Sequence, residues 1–142
     1  MTEAEIRDAV AAYARDWAAF DAEALMAHFA LPQILVGGGK TSFLETEEEV
    51  RETIDGLLAV YREHGVAAAE PLEVHVEPLP DAAARALVKW RLSDAAGHAL
   101  IEFKTIYTMI ADDDRVPAIV AIDADSEVAA WAAAGWRTSV PD

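Results

Sequence analysis

The chain predicts an α+β fold in which helices fill the concave side of a curved antiparallel sheet, and two observations carry that reading. The first is a long hairpin between Arg85 and Ile110. With its turn at Asp94-Ala95-Ala96-Gly97, side-chain alternation sets Trp90 opposite Ile101, Val88 opposite Phe103 and Lys89 opposite Glu102, so one face is apolar and the other charged. The second is the order of periodicities: helical spacing first, period-two spacing afterwards, the order expected when helices gather on one face of an antiparallel sheet. A strongly bent sheet cannot fill its own concavity. Helices plug it, and whatever they leave open becomes a pocket lined mostly by apolar groups.

The elements follow in order. Thr2 with Glu5 is a capping-box pattern, and Ile6, Val10, Tyr13, Trp17 and Phe20 then recur at helical spacing. Asp21 can cap a short second helix carrying Leu25, Met26 and Phe29, which must stop before Pro32. Gln33 to Val36 is a brief apolar strand, broken by Gly37-Gly38-Gly39. Thr46 with Glu49 opens a third helix through Val50, Ile54, Leu57, Leu58 and Tyr61, which Gly65 ends. Leu72, Val74 and Val76 then alternate with Glu73, His75 and Glu77 in a half-buried strand closed by Pro78 and Pro80. After the hairpin and Asp112-Asp113-Asp114, a last strand runs from about Val116 to Asp123. Ser126 can cap a short closing helix with Val128, Trp131 and Trp136 turned inward. Nothing along residues 1–142 reads as a linker, so one domain is expected.

Composition narrows the function classes. A net charge of −15 repels phosphate backbones and anionic membranes, so neither nucleic acid nor a membrane surface is an expected partner. The absence of cysteine excludes disulfides, thiolate metal sites and cysteine nucleophiles. Met1-Thr2-Glu3-Ala4-Glu5 has no basic, apolar leader, and no apolar run approaches the ~20 residues of a membrane span. The expectation is a soluble cytoplasmic protein without a cofactor.

The motifs that could carry chemistry each have a plainer reading. Gly37-Gly38-Gly39-Lys40-Thr41 looks like a phosphate loop, but that pattern needs glycine at position 34, which is Ile34; a turn or pocket-mouth loop is expected. Glu73, His75 and Glu77 share a strand face and could offer ligands to zinc, yet Leu72, Val74 and Val76 claim the core and put the trio outside. Asp112 to Asp114 lack the calcium-loop pattern. Glu47, Glu48 and Glu49 suit the positive end of the third helix, His64 suits its last turn, and His98 lies at the hairpin turn, so both histidines should be exposed. Tyr13, Trp17, Phe29, Trp90, Phe103 and Tyr107 are the apolar-face aromatics of their elements and the expected pocket lining. Asp123 shares a face with Ile119 and Ala121: inward, it is a buried carboxylate fit for a general base; outward, it merely ends a strand. His28 could likewise point into the hollow or lie at the surface.

The segments Tyr13-Ala14-Arg15-Asp16-Trp17, Phe20-Asp21-Ala22-Glu23-Ala24-Leu25 and His28-Phe29-Ala30 resemble the nuclear transport factor 2-like superfamily in its SnoaL-like branch. So do Leu87-Val88-Lys89-Trp90, Phe103-Lys104-Thr105-Ile106-Tyr107 and Ile119-Val120-Ala121-Ile122-Asp123. The resemblance spans nearly the whole chain and implies a cystatin-like, cone-shaped barrel with three N-terminal helices and a short C-terminal one. The superfamily holds isomerases, cyclases and dehydratases as well as non-catalytic binders, so the fold alone does not choose a function. Against ketosteroid isomerase, Tyr13 stands where that enzyme's tyrosine would, but the base position falls near Gly37 and the second acid among Thr105 to Tyr107, so both carboxylates are missing. SnoaL-like cyclases use an aspartate and a histidine, for which Asp123, His28 and His75 are candidates by type.

The combined expectation is a domain holding a small, mainly apolar molecule. The alternative is an enzyme doing proton transfer on such a molecule, with Tyr13 as hydrogen-bond donor and Asp123 or His28 as base. The outer hairpin face, with Leu87 and Leu100 among Lys89, Arg91, Glu102 and Lys104, suits pairing with a second copy, so a homodimer is expected.

Overall fold

In the computed structural model, which describes residues 1–111 and 116–136, α1 (Glu3–Ala18) opens on the capping box that its sequence spells. The Thr2 hydroxyl accepts from the Glu5 N–H at 3.1 Å and the Glu5 carboxylate accepts from the Thr2 N–H at 3.0 Å, which satisfies two otherwise unpaired donors. The stripe Ile6, Val10, Tyr13 and Trp17 is buried. Phe20 lies beyond the helix with φ of +54°, half-buried, with the Arg62 guanidinium 4.9 Å from its ring.

Helix α2 (Ala22–Met26) is capped by Asp21 and ends earlier than its apolar spacing suggests, because Phe29 belongs to β1 (Phe29–Gly37). There Phe29 pairs with Ile119 of β6 (Pro117–Asp123), and ladder pairing overrides the helical spacing from Leu25. Gly38 and Gly39, at φ of +61° and +77°, turn the chain into β2 (Lys40–Leu44), a strand that the polar run Lys40-Thr41-Ser42 conceals in the sequence. Helix α3 (Glu47–Glu63) starts on Thr46, and Gly65 follows it at φ of +74°. The remaining elements are β3 (Ala68–Leu79), β4 (Ala83–Ser93), β5 (Ala99–Ala111) and α4 (Asp125–Ala134).

The six strands form one sheet in the order β2-β1-β6-β5-β4-β3. Every pair is antiparallel except β1–β6, which runs parallel because the helical and strand segments between them carry the chain back across the sheet. The central hairpin keeps the expected faces but not the expected partners: Trp90 pairs with Phe103, Leu92 with Ile101 and Lys89 with Lys104. The cause is the turn. Asp94 accepts from the N–H groups of Ala96 and His98 at 3.0 and 2.9 Å, holding a five-residue loop, and Leu100 then bulges out of register. A two-residue slip leaves every side chain on its original face. The bulge also corrects the place of Leu100, which packs toward the core and not on the outer face.

Helix α4 is not capped by Ser126. Its N-cap is Ala124, and the Ser126 hydroxyl accepts instead from the Lys104 N–H of β5 at 3.0 Å. The helix start is pinned to the β1–β2 turn: Asp125 accepts from the Gly38 N–H at 2.9 Å, and the Ala124 N–H donates to the Val36 carbonyl at 2.7 Å. Gly37 permits this approach, since a Cβ there would lie 3.3 Å from Val128 and 3.6 Å from the Ala124 backbone. Val128 thus sits half-exposed at this junction, while Trp131 is buried and Trp136 partly so. No helix among the described residues is long and apolar enough to cross a membrane.

Candidate functional site

The helices leave a cavity of about 860 Å³ inside the cone. Five of the six aromatics expected there line it: Tyr13, Trp17, Trp90, Phe103 and Tyr107. Phe29 does not, because its transfer from helix to strand sets it behind Tyr13, with the ring centroids 5.8 Å apart. The exposed residues Lys40, Ser42 and Glu52 mark the mouth, between β2 and the first turns of α3. The glycine-rich segment is therefore a hairpin turn at the pocket rim, with Gly37 and Gly38 in the lining.

The inner wall is a continuous ring system. Trp131 packs edge-on against Tyr61 at 6.2 Å, Tyr61 against Trp17 at 5.6 Å, Trp17 against Tyr13 at 5.8 Å and Tyr13 against Tyr107 at 5.5 Å. The Trp90 indole N–H donates to the Tyr107 hydroxyl at 3.0 Å. Burial pushes the hydroxyls of Tyr13, Tyr61 and Tyr107 above the usual tyrosine range, so all three stay protonated and able to donate.

Neither expected base enters this space. The strand β6 bulges between Ile119 and Ala121, so Ile122, paired with the inward Tyr107, faces the cavity, and Asp123, paired with Ile106, is exposed. Its carboxylate accepts from the Asp125 N–H at 3.1 Å. The outward reading of Asp123 is the one the fold adopts. His28 packs edge-on against Tyr13 at 5.3 Å, but its Nε2 meets the Asp16 carboxylate at 2.6 Å, away from the lining.

Glu49 and Glu52 line the cavity toward its mouth, and the carboxylate set among the inner rings is Glu127, for which apolar periodicity alone gives no sign. It lies four residues before Trp131, hence on the same helical face, and that spacing was the available signal. The Tyr61 hydroxyl donates to its Oε2. Desolvation raises its pKa from 4.5 to about 7, against the opposing pull of Tyr61 and Trp131. A place in the first turn of α4 would by itself lower it, but that dipole effect is worth only about 0.3–1 kcal/mol and burial outweighs it. The buried Trp131 N–H, close enough to favour the ionised form, makes no hydrogen bond of proper geometry; nor does the Thr105 hydroxyl, also in the lining.

The other expected sites lie elsewhere. Glu73, His75 and Glu77 are exposed, with Glu77 bonded to Arg85 at 3.0 Å, and among the described residues no three His, Asp or Glu side chains cluster closely enough to hold a metal ion. Asp112 to Asp114 lie outside the described residues. His98 is exposed beside Asp94, whereas His64 is not: its ring stacks on Trp136 at 4.5 Å and its Nε2 is buried.

The sequence pattern of the NTF2-like protein family DUF6841 matches residues 3–127. The chain belongs to that family. Solved NTF2-like structures share its fold at low identity. An NTF2-like protein of unknown function from Shewanella oneidensis MR-1 is 16% identical with a TM-score of 0.68, over 87% of this chain and 98% of that one. An NTF2-like protein with a cystatin-like fold from Novosphingobium aromaticivorans is 20% identical with a TM-score of 0.67, over 90% and 85%. A cystatin-like protein of unknown function from Nostoc punctiforme PCC 73102 is 14% identical with a TM-score of 0.68, over 85% and 87%. No curated protein matches the sequence. At these identities the NTF2-like neighbours establish architecture, and function has to be argued from the cavity itself.

Proposed function

We propose that this NTF2-like chain binds a small, mainly apolar molecule inside its cone. The supporting observation is the cavity of about 860 Å³, which lies within the size range of small-molecule sites and has a rim of polar residues around an aromatic interior. The neutral apolar dye N-phenyl-1-naphthylamine should bind with a saturable rise in fluorescence, and Leu57→Trp, which narrows the cavity from α3, should weaken it. Native mass spectrometry of protein purified from its own cells should show a retained adduct. An unsaturable dye signal, unchanged by Leu57→Trp, would count against the reading.

A second reading, proton-transfer chemistry of isomerase, cyclase or dehydratase type, is favoured by Glu127. A carboxyl held at about 7 beside an apolar cavity has the property a general base needs near neutral pH. In that reading Glu127 takes the part first given to Asp123 or His28, and Tyr13 remains the hydrogen-bond donor.

We also propose that the chain pairs with its own copy through the outer face of β3, β4 and β5. Leu87 and Ile110 are exposed there, and Glu102 meets Arg91 at 3.3 Å and Lys89 at 3.9 Å, so the face is part apolar and internally charge-balanced. Light scattering at micromolar concentration should give the mass of a dimer. A monomer would end this proposal.

A further inference from the structure

The ligand's charge can be inferred from the lining, an inference that rests on the reading of the cone as a binding site. We propose that the occupant is an organic cation, an ammonium on an apolar body, seated against the Glu127 carboxylate among the rings of Trp17, Tyr61 and Trp131.

Three observations point this way. First, the charged groups of the lining are Glu49, Glu52 and Glu127 with Lys40, and among the described lining residues Lys40 is the only cation; it stands at the exposed mouth, while Glu127 lies within. An anionic ligand carried inward would leave its countercharge behind at the rim. Second, the carboxylate is set among aromatic rings. Tyr61 bonds it and packs between Trp17 and Trp131, so a cation there is enclosed by aromatic rings beside a carboxylate, which attracts it more strongly once water is excluded. Third, the Trp131 N–H is buried in the same wall close to the Glu127 carboxylate and, with the Tyr61 hydroxyl, favours the ionised form that a cation needs. The net charge of −15 adds a long-range field that concentrates cations near the mouth.

A cation also changes the protonation of the site. Glu127 faces Tyr61 on α3, Tyr13 on α1, Tyr107 on β5 and Trp131 on its own helix, with Glu49, Glu52 and Lys40 nearer the mouth. None of the inner partners is basic, so burial keeps the carboxyl partly protonated at neutral pH. An ammonium alongside favours the ionised form, and its affinity should therefore rise as pH passes upward through about 7.

The test uses three probes with one chain and three heads: n-octylamine, 1-octanol and octanoate, titrated calorimetrically at about pH 8, where an alkylamine is protonated. The ammonium should bind at least about tenfold more tightly than the alcohol, as expected for a charge-assisted contact, with octanoate weakest. Glu127→Gln, which keeps an acceptor for Tyr61, should abolish that preference and leave the alcohol within about twofold, which also shows that the variant is folded. An alcohol or octanoate that binds as well as the ammonium overturns the inference and leaves the binding reading standing, as does a preference that survives Glu127→Gln. If none of the three binds, the binding reading falls and the inference with it.

Discussion

At pH 8 the Glu127→Gln protein is expected to be more stable than the parent, by up to about 3 kcal/mol, while at pH 4 the two should be alike. The sign follows from the direction of the shift. The folded-state pKa is raised from 4.5 to about 7, so the folded chain holds a proton that the unfolded chain has already released. Below 4.5 both states are protonated and the carboxyl makes no difference. Between 4.5 and about 7 the parent loses stability with every rise in pH, at most about 1.4 kcal/mol per unit, and above 7 the loss is complete. Glutamine does not titrate, and it keeps an acceptor for the Tyr61 hydroxyl. Water entering from the mouth reduces the magnitude without reversing the sign.

Urea unfolding of both proteins at a series of pH values isolates this one group. The chain has 26 acidic residues, but all the others are common to the two proteins and cancel in the difference. A gap that does not change with pH would show that the carboxyl is solvated and ionises normally, and would remove the basis for treating Glu127 as the functional carboxylate.

Much of this architecture was legible because burial leaves a period in the sequence. The stripe from Ile6 to Trp17 and the two faces of the β4–β5 hairpin follow directly from it, and five of the six proposed pocket aromatics line the cavity for the same reason. What escaped was set by local irregularities that a periodic pattern does not register. The Asp94 loop and the Leu100 bulge shift the hairpin by two residues and so preserve its faces. The bulge at Val120 has the opposite effect, turning Ile122 inward and Asp123 outward, so alternation, which puts Asp123 on the face of Ile119 and leaves both of its orientations open, cannot choose between them. Phe29 lies four residues after Leu25 and mimics a helix, although its pairing with Ile119 is decided by a strand ninety residues away in sequence. Glu127 was hidden because a charged residue in the first turn of a helix is ordinarily a solvated one; only its spacing from Trp131 pointed inward.

Replacing Trp90 by alanine should cost about 3–4 kcal/mol, within the range for deleting a buried large aromatic. Trp90 is only 3% exposed, it pairs across the hairpin with Phe103, and its ring centre lies 6.4 Å from that of Tyr13. Two terms compete in the polar part of the change. Losing the indole N–H deprives the Tyr107 hydroxyl of its donor, but the space opened joins a cavity that already reaches solvent, so water can take the vacated place. The apolar and packing terms should therefore dominate. Tyr107→Phe removes the other partner and leaves the Trp90 N–H buried without an acceptor, at a cost of about 1–2 kcal/mol. The double variant should cost less than the sum of the two, since once the indole is absent the hydroxyl has no donor to lose. Denaturant midpoints of the four proteins check this cycle. Strict additivity would mean that the Trp90–Tyr107 bond contributes nothing, and a Trp90→Ala cost under about 1 kcal/mol would mean that the ring bounds the cavity without holding the hairpin against α1.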